Sequence, residues 1–470
     1  MKKLLLILIA CLALFATSCI EDLGNYTYTA PEDPVVTDLD SVYYVNVGDQ
    51  LIIQPTVSFS NKEDLSYEWK ISIPDELREV TYEGEELNIF FGLKTQSYNA
   101  RLAVVNNSNG MKYFYPFIIT AQANFSEGIA VLTSVDGKAE ISFVKPDGSV
   151  QSNIYEQMYN ESLPDNPRQL VAVQHMQMAG FPYIGYWIIC GDQENPGVEI
   201  DVNTFQRIKY FRDNFFDDQN GPLNAQSFIP QAAGVMSGII NGKLYLGAST
   251  TYYISPIYGF FGSPVPGDYT LADHFVYSQA YYLGYDKGNK NLAYFDGGGN
   301  FYGDAFNVTG DAFDPQNMDV DLYAFEMISM DVNYIFAKDN ADGKVYEYKF
   351  GVIPMNPAMI NVLEKNEFPR QDLVDENTKW LLTNTEIIYF THADKVYRYN
   401  PLNQEVRALG TDFGGKNVSM IKLATEDNTL IAGTEGNIYF LDISTGKYGD
   451  VKETISGIQG EPVDLYVKEN

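Results

Sequence analysis

Apolar and polar residues alternate with a period of two along much of the chain, and this predicts strands rather than helices. In "LSYEWKI" the residues Leu65, Tyr67, Trp69 and Ile71 fall on one face. In "YNARLAVVNNSNG" Tyr98, Ala100, Leu102 and Val104 do the same. A turn follows at Asn107 to Gly110, and then a partner strand, "MKYFYPFIIT". Period-two segments separated by turn residues predict a small β-sandwich over residues 35–122. Trp69 belongs in its core rather than in a sugar-stacking position, because its alternating neighbours are apolar.

From residue 123 the pattern repeats. "NYIFAKDNADGKVYEYKF", "EIIYFTHADKVYRYNPLNQ" and "NTLIAGTEGNIYFLDISTG" each run from an apolar strand through a polar turn to a second strand. That second strand carries Val345-Tyr346, Val396-Tyr397 or Ile438-Tyr439. Weaker copies are "EGIAVLTSVDGKAEISFV", "YWIICGDQENPGVEID", "NGKLYLGASTTYYIS" and "KNLAYFDGGGNFYGD". A strand-only period of about 40–50 residues is the mark of a β-propeller. The count predicts seven blades over residues 123–470, with six or eight open. The predicted fold is therefore all-β, a sandwich followed by a propeller. The tyrosine-rich strands read as inter-blade packing. "NPAMINVLEKNEF" (356–368) is the best helical candidate, and it is short.

The start of the chain differs in kind. Lys2 and Lys3 precede an apolar run from Leu4 to Phe15, too short to span a bilayer, which takes about 20 apolar residues. This is the layout of a secretory signal. Its small residues Ala16-Thr17-Ser18 lead directly into Cys19, which resembles a bacterial lipobox. That resemblance implies a signal peptide over 1–18, lipidation of Cys19 and a membrane-attached, non-spanning mature chain. Residues 19–34, polar and with two prolines, read as a tether. Processing would leave Cys190 as the only unmodified cysteine, so no internal disulfide can form. Cys190 lies in the apolar "YWIICG" and reads as an inert buried thiol.

Lys plus Arg number 31 against 62 Asp plus Glu, a net charge of −31. That excess disfavours nucleic acid and anionic lipid surfaces as partners and acidic ligands generally, so a neutral or cationic ligand is expected. Aromatics make up 14% of the chain, chiefly through 35 tyrosines.

Taken together, "SCIEDLGNYTYT", "LSYEWKI" and "YNARLAVVNNSNG" resemble the PKD-like surface lipoproteins of Bacteroidota. The resemblance implies an immunoglobulin-like PKD module behind a lipidated tether, with a larger propeller-like region after it. It further implies outer-membrane attachment facing the exterior, Glu21 and Asp22 being similar to the acidic surface-export signal. It also implies an accessory role beside a TonB-dependent transporter. The family carries no agreed catalytic residues, and the repeats lack the regular Trp-Asp pair of WD-type propellers.

No catalytic motif stands out. His175, His274 and His392 have no metal-ligand spacing, so no metal or cofactor is expected. "DGGGNFYGD" lacks the helix and lysine of a phosphate loop and reads as a wide turn. "DNADGK" lacks calcium-loop ligand positions, and Asp342-Gly343 reads as a hairpin turn. A glycosidase needs only two carboxylates; "NFFDDQNG" and "DVD" supply exposed candidates. The unusual stretch is 252–285, rich in Pro, Gly and aromatic rings. Read as a long insert overhanging one propeller face, it offers Tyr252, Tyr253, Tyr258, Phe260, Phe261, Tyr269, Phe275 and Tyr277 as contacts for a glycan or peptide. The alternative is that these rings are packing. Three functions remain: a non-catalytic nutrient-capture lipoprotein, a propeller-based glycoside hydrolase or lyase, and a structural scaffold without its own ligand.

Overall fold

The structure is a computed structural model, and it describes residues 32–468 apart from 75–76, 124, 175–182, 250–254, 256 and 425–427. Cys19 and the start of the tether thus lie outside the described residues, as do His175, Tyr252 and Tyr253. The protein is all-β, and its chain divides into two units near residue 122. Among the described residues no helix is long and apolar enough to cross a membrane.

The first unit holds a five-stranded sheet and two ribbons. The sheet runs in the order β2 (Val42–Asn46), β9 (Met111–Gln122), β8 (Ser97–Asn106), β5 (Leu65–Ile73), β6 (Arg78–Glu83). The ribbons are β1 (Val35–Thr37) with β4 (Thr56–Ser58), and β3 (Gln50–Ile53) with β7 (Leu87–Phe90). Strands form here because each face has a separate use. Trp69, Ile71, Tyr98, Leu102 and Val104 are buried, as are Leu51, Ile53 and Leu87 of the second ribbon. Trp69 is fully buried; its Nε1 donates to Gly84 O at 2.8 Å and its ring meets Phe117 edge-on at 5.9 Å. The opposite face carries charge, with Lys70 beside Glu68 at 2.8 Å and Arg101 beside Glu79 at 3.1 Å. These exposed pairs keep the face wet and add little stability.

The described residues of the second unit form seven consecutive sheets, each named from one edge inward. The first is β37 (Glu461–Lys468), β10 (Gly128–Val135), β11 (Lys138–Val144), β12 (Val150–Gln151). The second is β13 (Pro167–Gln174), β14 (Tyr183–Cys190), β15 (Gly197–Asp201), β16 (Arg207–Tyr210), and the third β17 (Ala225–Pro230), β18 (Met236–Ile240), β19 (Lys243–Leu246). The fourth is β20 (Leu271–Ser278), β21 (Tyr281–Asp286), β22 (Asn291–Asp296), β23 (Phe301–Gly303). The fifth is β25 (Val320–Ser329), β26 (Val332–Asp339), β27 (Val345–Ile353), β28 (Met359–Glu367), with β24 (Asn307–Thr309) added in parallel. The sixth is β29 (Trp380–Leu382), β30 (Ile388–His392), β31 (Lys395–Asn400), β32 (Glu405–Ala408). The seventh is β33 (Val418–Leu423), β34 (Thr429–Thr434), β35 (Asn437–Asp442), β36 (Asp450–Ser456).

Each sheet buries its faces against its neighbours. Leu132 and Phe143 of the first pack with Tyr186 and Ile188 of the second. Trp187 meets Phe228, Leu244 meets Phe295, and Leu283 and Ile335 share a cluster between the fourth and fifth sheets. Phe336 and Phe390 share the next, Tyr389 and Leu430 the one after, and Ile431 and Val131 join the seventh sheet to the first. The edge strands follow the same order: β37 lies beside β13, then β17, β20, β25, β29 and β33 in turn, and β33 lies beside β37.

The repeat pairs Val345-Tyr346, Val396-Tyr397 and Ile438-Tyr439 all fall in the third strand of their sheets. Gly343 closes the 339–345 hairpin with φ +75°, a backbone suited to glycine. The helical expectation for 356–368 is corrected: Met359–Glu367 is strand β28, paired with β27. Ile360 and Val362 bury at alternate positions, and this two-residue period overrides helix-forming composition. The α-helix among the described residues is α1 (Ile154–Tyr159), which buries Ile154 and Tyr155.

Glu347 on β27 is fully buried, and its Oε2 accepts no hydrogen bond among the described residues. Desolvation pushes its carboxyl up to about 7, against the weaker opposing pull of Tyr399 and Asn366. The folded chain therefore keeps a proton there that the unfolded chain loses near the ordinary 4.5. This contribution to stability is full below about pH 4.5 and is lost as pH rises through about 7. Glu347→Gln should flatten that decline, measured as urea midpoints between pH 5 and 8. Parallel profiles for variant and wild type would contradict the burial of a protonated Glu347.

Candidate functional site

The first strands of the second unit's sheets begin around a cavity of about 800 Å³. Arg168 and Gln169 come from β13, Gln226 and Ser227 from β17, Asp273 and His274 from β20. Asn377 and Lys379 lead into β29, Asn417 and Ser419 flank the start of β33, and Glu461 to Val463 open β37. Six of the seven sheets thus contribute, and amide, hydroxyl and charged groups dominate the lining.

Several of these side chains also hold the edge strands together. Gln169 clamps the backbone of Phe228, accepting from its N at 2.8 Å and donating to its O at 3.3 Å. Gln226 donates to Asp273 at 2.6 Å and accepts from Gly242 N at 2.6 Å. Ser419 Oγ donates to Pro462 O at 2.7 Å. Just below, Asp464 accepts from Leu170 N at 2.9 Å and from Lys422 at 2.7 Å. The wall is preorganised by these bonds.

His274 is reached by solvent in the cavity while protein packs closely round it. Burial holds its pKa below the ordinary 6.5; Lys379 pushes the same way and Asp273 opposes. His274 is therefore neutral at pH 7. Further along β25, Glu326 has no hydrogen-bond or ion-pair partner among the described residues, and desolvation pushes its carboxyl up to about 7. Among the described residues no group of three or more His, Cys, Asp or Glu could hold a metal.

The aromatic segment is placed differently from the insert read in the sequence. Residues 258–261 supply an abbreviated fourth strand to the third sheet. Phe261 bridges Gly247 on one side and Phe215 on the other, and Ala248 N donates to Phe260 O at 2.9 Å. Phe275 and Tyr277 belong to β20 itself. Phe261, Tyr269 and Phe275 are buried in inter-sheet clusters and have no free face for a ligand, so they are packing residues. Tyr269 hydroxyl also donates to Val265 O at 2.6 Å. Tyr277 is half-buried beside Tyr282, with rings 4.8 Å apart. Tyr258 donates to Ala233 O, and Phe260 lies 5.7 Å from Phe216 with Lys209 Nζ 4.9 Å from its ring centre. None of the six described residues of this set lines the cavity.

Nor does the cavity gather the acidic stretches singled out in the sequence. Asp319 is exposed and paired with Lys290 at 2.5 Å, and Asp217 and Asp218 are exposed. Of the two described histidines His274 reaches the cavity, and His392 ends β30. Arg168, Gln226, Asp273 and Lys379 escaped notice because no motif joins them. Their signal is positional: each stands at or just before the first strand of a repeat, as in "PRQL", "AQSF", "ADHF" and "TKWL".

Residues 19–167 match the PKD-like family, so the N-terminal unit is PKD-like, and the match runs on through the β10–β12 hairpins. No curated protein matches the sequence. Among solved structures, dihydro-heme d1 dehydrogenase NirN in complex with DHE aligns at 11% identity and TM-score 0.40, over 78% of this chain and 73% of that one. A functionally unknown protein from Desulfotomaculum acetoxidans aligns at 11% and 0.41, over 72% and 98%. A provisionally named 6-phosphogluconolactonase from Bacteroides uniformis aligns at 11% and 0.43, over 73% and 99%. At these TM-scores the likeness carries no argument about this chain's chemistry.

Phe261→Ala tests the reassigned aromatic segment. Loss of a fully buried ring should lower the unfolding free energy by about 3–5 kcal/mol in urea titration. A loss below about 1 kcal/mol would return Phe261 to the surface.

Proposed function

We propose that the second unit is a seven-bladed β-propeller closed by β37, and that the protein is a surface lipoprotein which captures a glycan or peptide without chemistry of its own. The observation that carries this reading is the polar cavity where the first strands begin. Six sheets converge on it, its Asn, Gln and Ser groups suit hydroxyls and peptide amides, and its walls are held by cross-sheet hydrogen bonds. Closure is supported by the cyclic order of the edge strands and by clusters joining every sheet to the next. The outer-membrane location, the exterior orientation and the docking beside a TonB-dependent transporter rest on the lipobox-like Cys19 and the family resemblance of the N-terminus. The ligand site moves from the 252–285 rings to the cavity, because most of those rings whose side chains are described are core or half-buried.

Asn417 is exposed at the cavity wall, with no side-chain hydrogen bond among the described residues. Asn417→Trp should fill the recess and weaken binding to a glycan array or peptide library at least tenfold, with the melting temperature unchanged. Undiminished binding would remove the cavity from the mechanism. Cys19→Ala should leave an unprocessed or soluble protein. The same variant at wild-type size in the outer-membrane fraction would rule out the lipid anchor.

A further inference from the structure

The charges in the cavity are unequally occupied. Arg168 Nη1 donates to Asn224 Oδ1 at 3.2 Å and to Ala225 O, and Asp273 accepts from Gln226. Glu461 is exposed on the first sheet. Lys379 Nζ and the His274 ring, by contrast, have no hydrogen-bond or ion-pair partner among the described residues. Lys379 precedes the sixth sheet and His274 belongs to the fourth. No residue of β25, between them, lines the cavity, and the charge of Lys379 acts directly on His274. The backbone of Lys379 is fixed: its N donates to Thr391 Oγ1 at 3.0 Å and its O accepts from Thr391 N at 3.0 Å. Lys379 is exposed in the cavity, so its ammonium is open to a group from outside the chain.

We propose that Lys379 and His274 anchor a carboxylate, so that the ligand of the cavity bears one, either as an acidic sugar or as a peptide C-terminus. The inference rests on the reading that the cavity is the binding site. Lys379 supplies the charge and the neutral imidazole supplies an N–H donor; a charge-assisted bond of this kind is stronger than a neutral one. Asn377 and Asn417 face the same space and suit the hydroxyls or amides of the rest of the ligand. Asp375 and Glu376, just ahead of Asn377, join Asp321 in acting on the half-buried Tyr323. The net negative charge of the whole chain repels polyanions. A ligand with a single carboxylate keeps its attraction to Lys379 at short range, where screening is least.

The test is calorimetry on the mature full-length protein with four probes: a glucuronate-terminated disaccharide, its methyl ester, trialanine and trialanine amide. One carboxylate probe should bind, and its ester or amide should bind roughly 10- to 100-fold more weakly, the range expected for a hydrogen bond to a charged group. The pair that shows the difference identifies the source. Lys379→Gln should abolish the preference for the carboxylate probe over its neutral partner while leaving the melting temperature unchanged. Equal binding of charged and neutral probes, or a preference that survives in Lys379→Gln, would overturn the proposal. So would the absence of binding by all four, in which case the cavity reading would stand or fall on the Asn417→Trp measurement.

Discussion

The pairing of the last strand with the first sheet is the constraint on which the second unit depends. β37 joins β10 in antiparallel register, with Val131 opposite Leu465 and Ala130 opposite Tyr466. Without it the edge of β10 would be unpaired and the cluster of Val131, Ile431 and Leu465 would open to water. Details around the strand serve this contact. The register shifts between Leu132 and Thr133, where Pro462 stands opposite Thr133, a bulge that tolerates a residue without an N–H. A Cβ on Gly433 would lie 2.7 Å from both Met420 and Pro462, so only glycine permits the close approach of the seventh sheet to β37. Asp464 then ties β37 to its neighbours on both sides, to Leu170 of β13 and Lys422 of β33. The cavity depends on the same strand, because Glu461 to Val463 form one of its walls.

The tyrosines act as a two-part adhesive between sheets. Their rings add to the apolar clusters, and their hydroxyls reach polar groups on the next sheet. Tyr285 donates to Met318 O at 2.7 Å and Tyr334 to Glu386 at 2.8 Å, while Tyr282 accepts from Gln231 at 2.7 Å. Phe336 and Trp380 stack at 4.3 Å across the fifth and sixth sheets. An aromatic-rich chain can therefore leave its cavity polar. The abundance of rings reports packing, and the cavity lining is left to the sparser Asn, Gln, Lys and His residues.

This division explains what the sequence disclosed. The Trp69 core and the alternation in β5 and β8 were legible because one face of that sheet is wet and the other dry. The repeats at 345, 396 and 438 were legible because a turn and a third strand recur together. The strand inside 252–285 was not legible because "LADHFVYS" is an edge strand that meets neighbouring sheets and the cavity, which erases simple alternation. Phe261 was hidden for a related reason: a two-residue bridge in place of a full fourth strand gives no periodic signal. The cavity residues come from strands far apart in sequence, so only the ring of edge strands brings Arg168, Asp273 and Lys379 together.

Native-state hydrogen exchange across the second unit tests this dependence most directly. If β37 closes the unit, the amides of residues 461–468 open with the same free energy as those of β10, β13 and β33, in one cooperative event. Exchange of β37 at the rate of a frayed terminus, while β10 and β33 stay protected, would show that the last strand holds nothing together.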